Sequence, residues 1–397
     1  MERLRIGQFT DSFPPVINGV SALVIEHHAE LLARRQDVHV FTFGYLNHRD
    51  DPPKVHRSPG LPIGTSPFRT FPVLNRSAHR IAASLDVYHA HEALSIGQIA
   101  TRYAKELGCP LIFTNHTRHD LYVLNYPRLV QPFLRRHVFF VIRQLIHASA
   151  MTTAPSRDSA RWLQSLAPEH AHRIRVVNNG TRLERFDRIE PHLSRDTFGI
   201  GAGQTLFISV CRLSPEKNLS AFAEALIHAV RDGADAHWMV IGDGLSRAKL
   251  EAETAPIRSR AHFLGAIPNA SIAPYLAMAD LFATPSLSET NSVSVIEGMA
   301  CGLPYLGLEA DWWEDFSTGD STAPAGLLAR HDPRDLAVAI RRLCDDAALR
   351  ARLGAQAKRL SRRFDMRTVT SRWLEIYHEA QAEWEARFSR SGAPAFR

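Results

Sequence analysis

Cysteine is scarce in this chain of 397 residues, with only four. Cys109, Cys211, Cys301 and Cys344 are widely scattered, and no two form a CxxC pair. That spacing argues against a disulfide framework and against a zinc site built on paired thiols. Cys109, Cys211 and Cys301 sit among apolar or small residues, which favours buried thiols in a reducing compartment. The chain also lacks any apolar run long enough to span a bilayer. Its opening residues, Met1 to Thr10, have neither an apolar core nor a small-residue cleavage site. No secretory leader is therefore expected, and the expected location is the cytoplasm. There is no GxSxG for a serine hydrolase and no GxxxxGK[ST] for a P-loop ATPase.

What is present is ordinary globular composition, 45% hydrophobic and 22% charged, with a formal net charge of +6. The length suggests two or three domains. The basic balance favours an anionic partner without choosing among nucleic acid, anionic lipid and a phosphorylated substrate. Clusters such as Arg135-Arg136 and Arg362-Arg363 read equally as solvated faces.

Strand and helix patterns alternate. Leu4 to Phe9 reads as a strand, Val20 to Arg34 as a helix and Val38 to Phe43 as a second strand. Val87 to Ala90, Leu111 to Thr114, Met151 to Ala154 and Arg175 to Val177 follow as strands. A polar stretch from Leu183 to Gly203 reads as a linker, and the alternation then resumes. Strands are expected at 206–210, 237–241, 261–264 and 281–284. The fold expected is α/β, two Rossmann-like doubly wound domains facing across a cleft. The boundaries are 1–188, 189–367 and a C-terminal helical segment, 368–397.

Four stretches carry candidate chemistry. The first, Thr10 to Ser21, joins a strand to a helix. Gly19 lets backbone approach a ligand and the helix start offers N–H groups to an anion. The alternative is a plain turn with Asn18-Gly19 supplying a left-handed residue. The second, Ser209 to Leu219, places Arg212 and Lys217 on one short loop, as a diphosphate clamp or as two solvated cations. The third, Ser286 to Pro304, contains Glu289 and Glu297, eight positions apart and about two helical turns if helical throughout. A carboxylate inside the apolar run at Glu297 needs a partner, either ribose hydroxyls or a buried Arg or Lys. The fourth, Thr114 to Asp120, follows a strand. His116, His119 and Asp120 are open as metal ligands, but no further ligand set at metal spacing supports that reading.

Together these stretches resemble the retaining glycosyltransferases of GT-B architecture with a Glu-x7-Glu motif, a group that includes bacterial enzymes glycosylating diacylglycerol. The resemblance covers nearly the whole chain, and Glu289…Glu297 is its most specific part. Val177 to Phe186, Ile241-Gly242-Asp243-Gly244, Phe263-Leu264-Gly265 and Tyr275 to Asp280 match in order and spacing. It implies a nucleotide-sugar donor, with a UDP-sugar expected, and no cofactor or metal. Gly19 would approach the donor diphosphate, and Arg212 and Lys217 would neutralise it as it leaves. Glu297 would bind ribose, Glu289 the sugar hydroxyls, and His116 would sit near the anomeric centre. Asn291, Ser292 and Val293 would offer backbone N–H groups. Gly242 would line the donor site, and Phe263 and Leu264 would hold the base. A C-terminal helix would cross back to the first domain.

The chain departs from the pattern at Asn291-Ser292, at Gly298, and at the unusual run Glu309 to Asp315. The acceptor expected is a lipid or a cell-envelope glycan. Tyr126 to Ala150 and Arg69 to Leu85 are basic and amphipathic, which suits an anionic membrane surface on its inner face. No nucleic acid is expected, since no recognised motif accompanies the charge. A soluble acceptor, a nucleotide-sugar epimerase or phosphorylase, and a degenerate binding protein are the alternatives.

Overall fold

The computed structural model describes residues 3–16, 18–44, 54–62, 69–70, 74–123, 126–187, 189, 193–317 and 323–391, with 61–62, 69–70 and 387–391 as backbone. Parts of the basic stretch 69–85 and of the C-terminal segment 368–397 lie outside these residues. The chain divides into two units, Met1–Asn179 with Met366–Arg397, and Gly180–Asp365.

The first unit runs β1 (Arg5–Phe9), α1 (Gly19–Ala33), β2 (Asp37–Phe43), β3 (Val55–Ser58), β4 (Leu61–Pro62), β5 (Arg69–Thr70), α2 (Arg76–Ala82), β6 (Val87–Ala90), α3 (Ile96–Leu107), β7 (Leu111–Thr114), α4 (His119–Tyr122), α5 (Gln131–Ala148), β8 (Met151–Ala154), α6 (Arg157–Leu166) and β9 (Ile174–Val176). Seven strands form a parallel sheet in the order β3-β2-β1-β6-β7-β8-β9. Strands β6, β7 and β8 are buried throughout, as expected of a parallel sheet covered on both faces.

The second unit runs β10 (Thr205–Val210), α7 (Leu219–Arg231), β11 (Ala236–Ile241), α8 (Arg247–Glu253), β12 (Ala261–Gly265), α9 (Ala273–Met278), β13 (Leu281–Thr284), α10 (Val293–Ala300), β14 (Tyr305–Leu308), α11 (Glu314–Ser317), β15 (Gly326–Ala329), α12 (Pro333–Asp345) and α13 (Ala347–Ser361). Its six parallel strands are ordered β12-β11-β10-β13-β14-β15. The sequence reading missed β3, β14 and β15. Each is four residues long, and Gly-Leu-Leu-Ala at β15 has no β-branched or aromatic residue to mark it.

The described residues between Leu183 and Gly203 are not slack chain. Phe186 and Ile200 are buried in the second unit's core with α9 and α10. Arg195 donates to Asp280 at 2.9 Å and to the Met278 carbonyl at 2.7 Å. The division accordingly falls at Asn179/Gly180, earlier than residue 188. The last helix, α14 (Met366–Ser391), belongs to the first unit. Val369, Trp373, Ile376, Tyr377 and Ala380 recur at helical spacing and pack on Ile6, Val38, Val87 and Ile112.

Candidate active site

In the second unit, β10 lies between β11 and β13. The connections leave it in opposite directions, so a crevice opens beyond the carboxyl ends of β10 and β13. The loop after β10 carries Arg212 and Lys217, and the loop after β13 carries Glu289 to Ser292. Backbone and side-chain contacts bind the loops together. Leu287 N–H donates to the Glu216 carbonyl at 3.4 Å, and Asn218 Nδ2 donates to the Pro285 carbonyl at 3.3 Å. Asn218 itself is left-handed, φ 52°, turning the loop into α7.

Lys217 Nζ donates to Glu289 Oε1 at 2.6 Å. Their side chains are only 17% and 11% exposed, so Lys217 is no solvated surface cation. Burial opposes its charge, but Glu289, Cys211 and Glu216 together outweigh it and raise the ammonium above its ordinary range. Arg212 differs, with a side chain 63% exposed and a 3.3 Å contact to Glu216 Oε1. Cys211, beside them, is half-buried, and burial pushes its thiol up to about 12.

Glu289 and Glu297 do not share a helix. α10 begins at Val293, so Glu289 belongs to the loop and Glu297 to the helix. Glu297 is 2% exposed, and Asn269 Nδ2 donates to its Oε1 at 2.8 Å. One partner of the carboxylate is thus an amide. Ser292 precedes α10 in extended conformation, and its side chain does not cap the helix. Its hydroxyl lies 3.2 Å from that of Ser294. Asn291 is buried beside it. Glycine at 298 has a packing cause, because a Cβ there would lie 2.7 Å from the Phe282 ring on β13.

Gly242 ends β11 with φ 137°, and a Cβ would meet the Cys211 carbonyl at 1.8 Å. Only glycine lets the β11 loop close on the β10 loop. Phe263 and Leu264 lie half-buried on the edge strand β12. Arg247 reaches the Phe263 carbonyl at 3.4 Å. The run Glu309 to Asp315 is structural. Trp312 and Trp313 are buried and stacked at 3.9 Å. Trp312 Nε1 donates to the Ser286 carbonyl at 3.3 Å, bracing the loop that carries Glu289.

Gly19 and His116 belong to the first unit. Asn18 is extended, φ −156°, and caps α1 by exchanging 2.9 Å bonds with Ser21. Gly19 is not left-handed, and a Cβ on it would meet nothing within 4 Å. The turn therefore does not need glycine there, contrary to the plain-turn reading. His116 follows β7, half-buried, with Nε2 3.1 Å from His91 Nδ1. Burial holds its imidazole down to about 4. Asp120 bonds Arg118 at 2.8 and 2.9 Å. Among the described residues no three His, Cys, Asp or Glu side chains form a metal-ligand set.

The sequence reading missed several groups here. Glu92 accepts from Thr10 Oγ1, Asp11 N–H and Ser12 N–H at 3.0 to 3.2 Å, and so shapes the loop after β1. Burial lifts Glu92 to about 7, and burial with the Glu92 charge holds Asp11 well above the usual range. His91 and Asn269 also escaped notice. Each lies far along the chain from the residue it serves, and no local pattern marks it.

The basic stretch forms α5 and the turn before it. Val138, Ile142, Leu145 and Ile146 face the core. Leu129 and Phe133 are 88% and 76% exposed, and Tyr126, Val130 and Phe140 are exposed with them. Arg128, Arg135, Arg136 and Arg143 are exposed among them. No helix of the described residues is long and apolar enough to cross a membrane.

Comparison with known proteins agrees with this geometry. Residues 17–185 match the family described as Glycosyltransferase Family 4, and residues 204–346 match glycosyl transferases group 1. An alpha-monoglucosyldiacylglycerol synthase from Streptococcus pneumoniae is 28% identical over 76% of this chain and 70% of its own length. A D-inositol 3-phosphate glycosyltransferase from Nocardia farcinica is 27% identical over 96% of this chain and 88% of its own. The structure of Anabaena HepE in complex with UDP and glucose superposes with a TM-score of 0.74, covering 95% of this chain and all of that one at 19% identity. The chain belongs to the glycosyltransferases, with a family 4 domain and a group 1 domain on two Rossmann-like units of GT-B type.

Proposed function

We propose that the protein is a retaining glycosyltransferase that moves a sugar from a UDP-sugar to a membrane lipid. The observation that carries this reading is the joining of Lys217, Glu289 and buried Glu297 by two loops at the switch point of the second sheet. A cation for diphosphate stands against a carboxylate for sugar hydroxyls, with a second carboxylate for ribose on the adjoining helix. Asn291, Ser292 and Val293 supply N–H groups at the start of α10, and Phe263 and Leu264 hold the base. Gly242 serves the site through the loop closure it permits. Gly19 admits the diphosphate to backbone, and His116 addresses the transferred sugar.

In the reaction the bond from the anomeric carbon to the donor phosphate oxygen breaks. The acceptor hydroxyl oxygen bonds the same face of that carbon, and its proton passes to the departing diphosphate. Lys217 and Arg212 stabilise the charge that develops there without a metal. The lipid acceptor is supported by the exposed aromatic and arginine face of α5 and by the alpha-monoglucosyldiacylglycerol synthase among the relatives. That face would lie in the headgroup region of an anionic inner leaflet.

The test incubates the protein with UDP-, GDP- and ADP-glucose, with and without diacylglycerol in phosphatidylglycerol vesicles, and with EDTA. UDP release that rises with the vesicles and survives EDTA, with an α-linked product, is expected. A β-linked product overturns retention. Stimulation only by a soluble sugar overturns the lipid acceptor. No release from any donor overturns the enzyme reading.

A further inference from the structure

Four histidines run through the first unit beneath the loops that follow β1, β6 and β7. His27 sits on α1, His89 on β6, His91 just after β6 and His116 just after β7. His91 is anchored by its backbone, whose N–H donates to the Phe9 carbonyl at 2.9 Å. Its ring lies between two others. His89 is on one side at 3.9 Å between centroids, and His116 on the other at 5.4 Å and nearly parallel. His89 is itself fixed at both nitrogens, by the Tyr377 hydroxyl of α14 at 3.0 Å and by Thr114 Oγ1 at 2.7 Å. Thr114 Oγ1 in turn lies 2.7 Å from Thr153 Oγ1. The ring of His91 is therefore packed against a neighbour that is fixed at both nitrogens.

His91 Nδ1 faces His116 Nε2 at 3.1 Å. Burial holds both rings neutral near pH 7, His91 well below its ordinary range and His116 at about 4. Two neutral imidazoles share one proton across that contact, and the other nitrogen of each ring takes the complementary state. His91 Nε2 is buried and meets no hydrogen-bond partner among the described residues. Were the shared proton on His116, His91 would carry its own proton at that site, as a buried N–H with no acceptor. Were it on His91 Nδ1, the same site would hold only a bare lone pair. An orphaned buried N–H is the rarer of the two situations in folded proteins.

We propose that His91 is a positioning residue that donates its Nδ1–H to His116 Nε2 and so places the proton of His116 on Nδ1. A ring nitrogen's state is set by the bond its partner nitrogen makes. His116 then meets the sugar as a neutral N–H donor with its Nε2 lone pair already engaged, and it does not act as a general base through that atom. This inference rests on the reading that His116 addresses the transferred sugar.

The test combines a spectrum with kinetics on the full chain. Two-bond proton–nitrogen correlation spectra of 15N-histidine protein distinguish the tautomers, with His116 assigned by its loss in His116→Gln. The wild type at pH 7 should show His116 as the Nδ1–H form, and His91→Phe should convert it to the Nε2–H form or a mixture. UDP release from UDP-glucose with diacylglycerol vesicles should fall about tenfold in kcat for His91→Phe, with the donor KM little changed. His91→Asn, which keeps an N–H near Nδ1, should recover most of it.

An Nε2–H tautomer of His116 in the wild type overturns the proposal, and that spectrum decides even if His91→Phe does not fold. Undiminished kcat in folded His91→Phe also overturns it. Undiminished kcat in His116→Gln instead removes His116 from the sugar site, which is failure of the parent reading.

Discussion

Lys217 and Glu297 make different demands on their surroundings, and their variants should separate in kinetics. Lys217 is held against Glu289, and in the proposed reaction it faces the charge that grows as the diphosphate departs. Lys217→Ala should therefore lower kcat by about 100-fold with a smaller change in donor KM. In the same proposal Glu297 grips a part of the donor that does not react, so Glu297→Ala should chiefly raise the donor KM. Initial-rate measurements over donor concentration check both, and wild-type constants in the pair would remove these residues from the site. The contact between Lys217 and Glu289 also means that their substitutions should not add. The sequence offered Lys217, Glu289 and Glu297 as candidates and set Glu297 inside an apolar helical run that follows the polar residues 290–292, as α10 does. The break between loop and helix falls at Val293, where the apolar run begins. One partner of Glu297 is Asn269, twenty-eight positions earlier in the chain.

Among the described elements of the first unit, α5 has an exposed face rich in apolar side chains. Its buried stripe is apolar, as any amphipathic helix requires. Its other face, with the preceding turn, exposes aromatic and aliphatic side chains among arginines instead of the usual polar set. Phe133→Ser combined with Phe140→Ser should leave the melting temperature nearly unchanged, since both rings are exposed. Binding to phosphatidylglycerol vesicles should fall at least tenfold, because each buried aromatic contributes about 1.5–3 kcal/mol. A flotation assay measures this, and equal flotation of variant and wild type would show that α5 is not the docking face. The amphipathic character of 126–150 was legible in the sequence. Which of its apolar residues face outward was not, because the core stripe and the exposed stripe contain the same residue types.

For the molecule as a whole, the buried histidines couple stability to pH. In the folded chain His27 is held at about 3, chiefly by burial, and His116 and His119 at about 4. His89 and His91 are also held well below the ordinary range. In the unfolded chain each titrates near ~6.5. Below that pH the unfolded chain takes up protons the folded chain refuses, so the histidine contribution is intact above ~6.5 and is lost as pH falls toward 4. Asp11 and Glu92 act oppositely, because their raised values let the folded chain hold protons that the unfolded one has released. Five imidazoles outweigh two carboxyls. The calorimetric midpoint should drop between pH 7.5 and pH 5.0, and a flat or rising midpoint over that window would contradict the assignment of these rings as neutral.

The alternation of short apolar runs with helical periods determined two α/β units by itself, since a parallel strand must be apolar on both faces and its crossover helix on one. The loops at strand ends were legible for the same reason, because they are where the apolar pattern stops and Gly, Asn, Ser and charged residues gather. Tertiary structure alone decided what those loops meet. It brought α14 onto the first sheet so that Tyr377 reaches His89 across 288 positions. It also stacked His91 on His116 and set Trp312 under the loop of Glu289. Local periodicity arises from each residue's own backbone geometry and neighbours, whereas these contacts depend on how distant segments share the limited space of one close-packed interior.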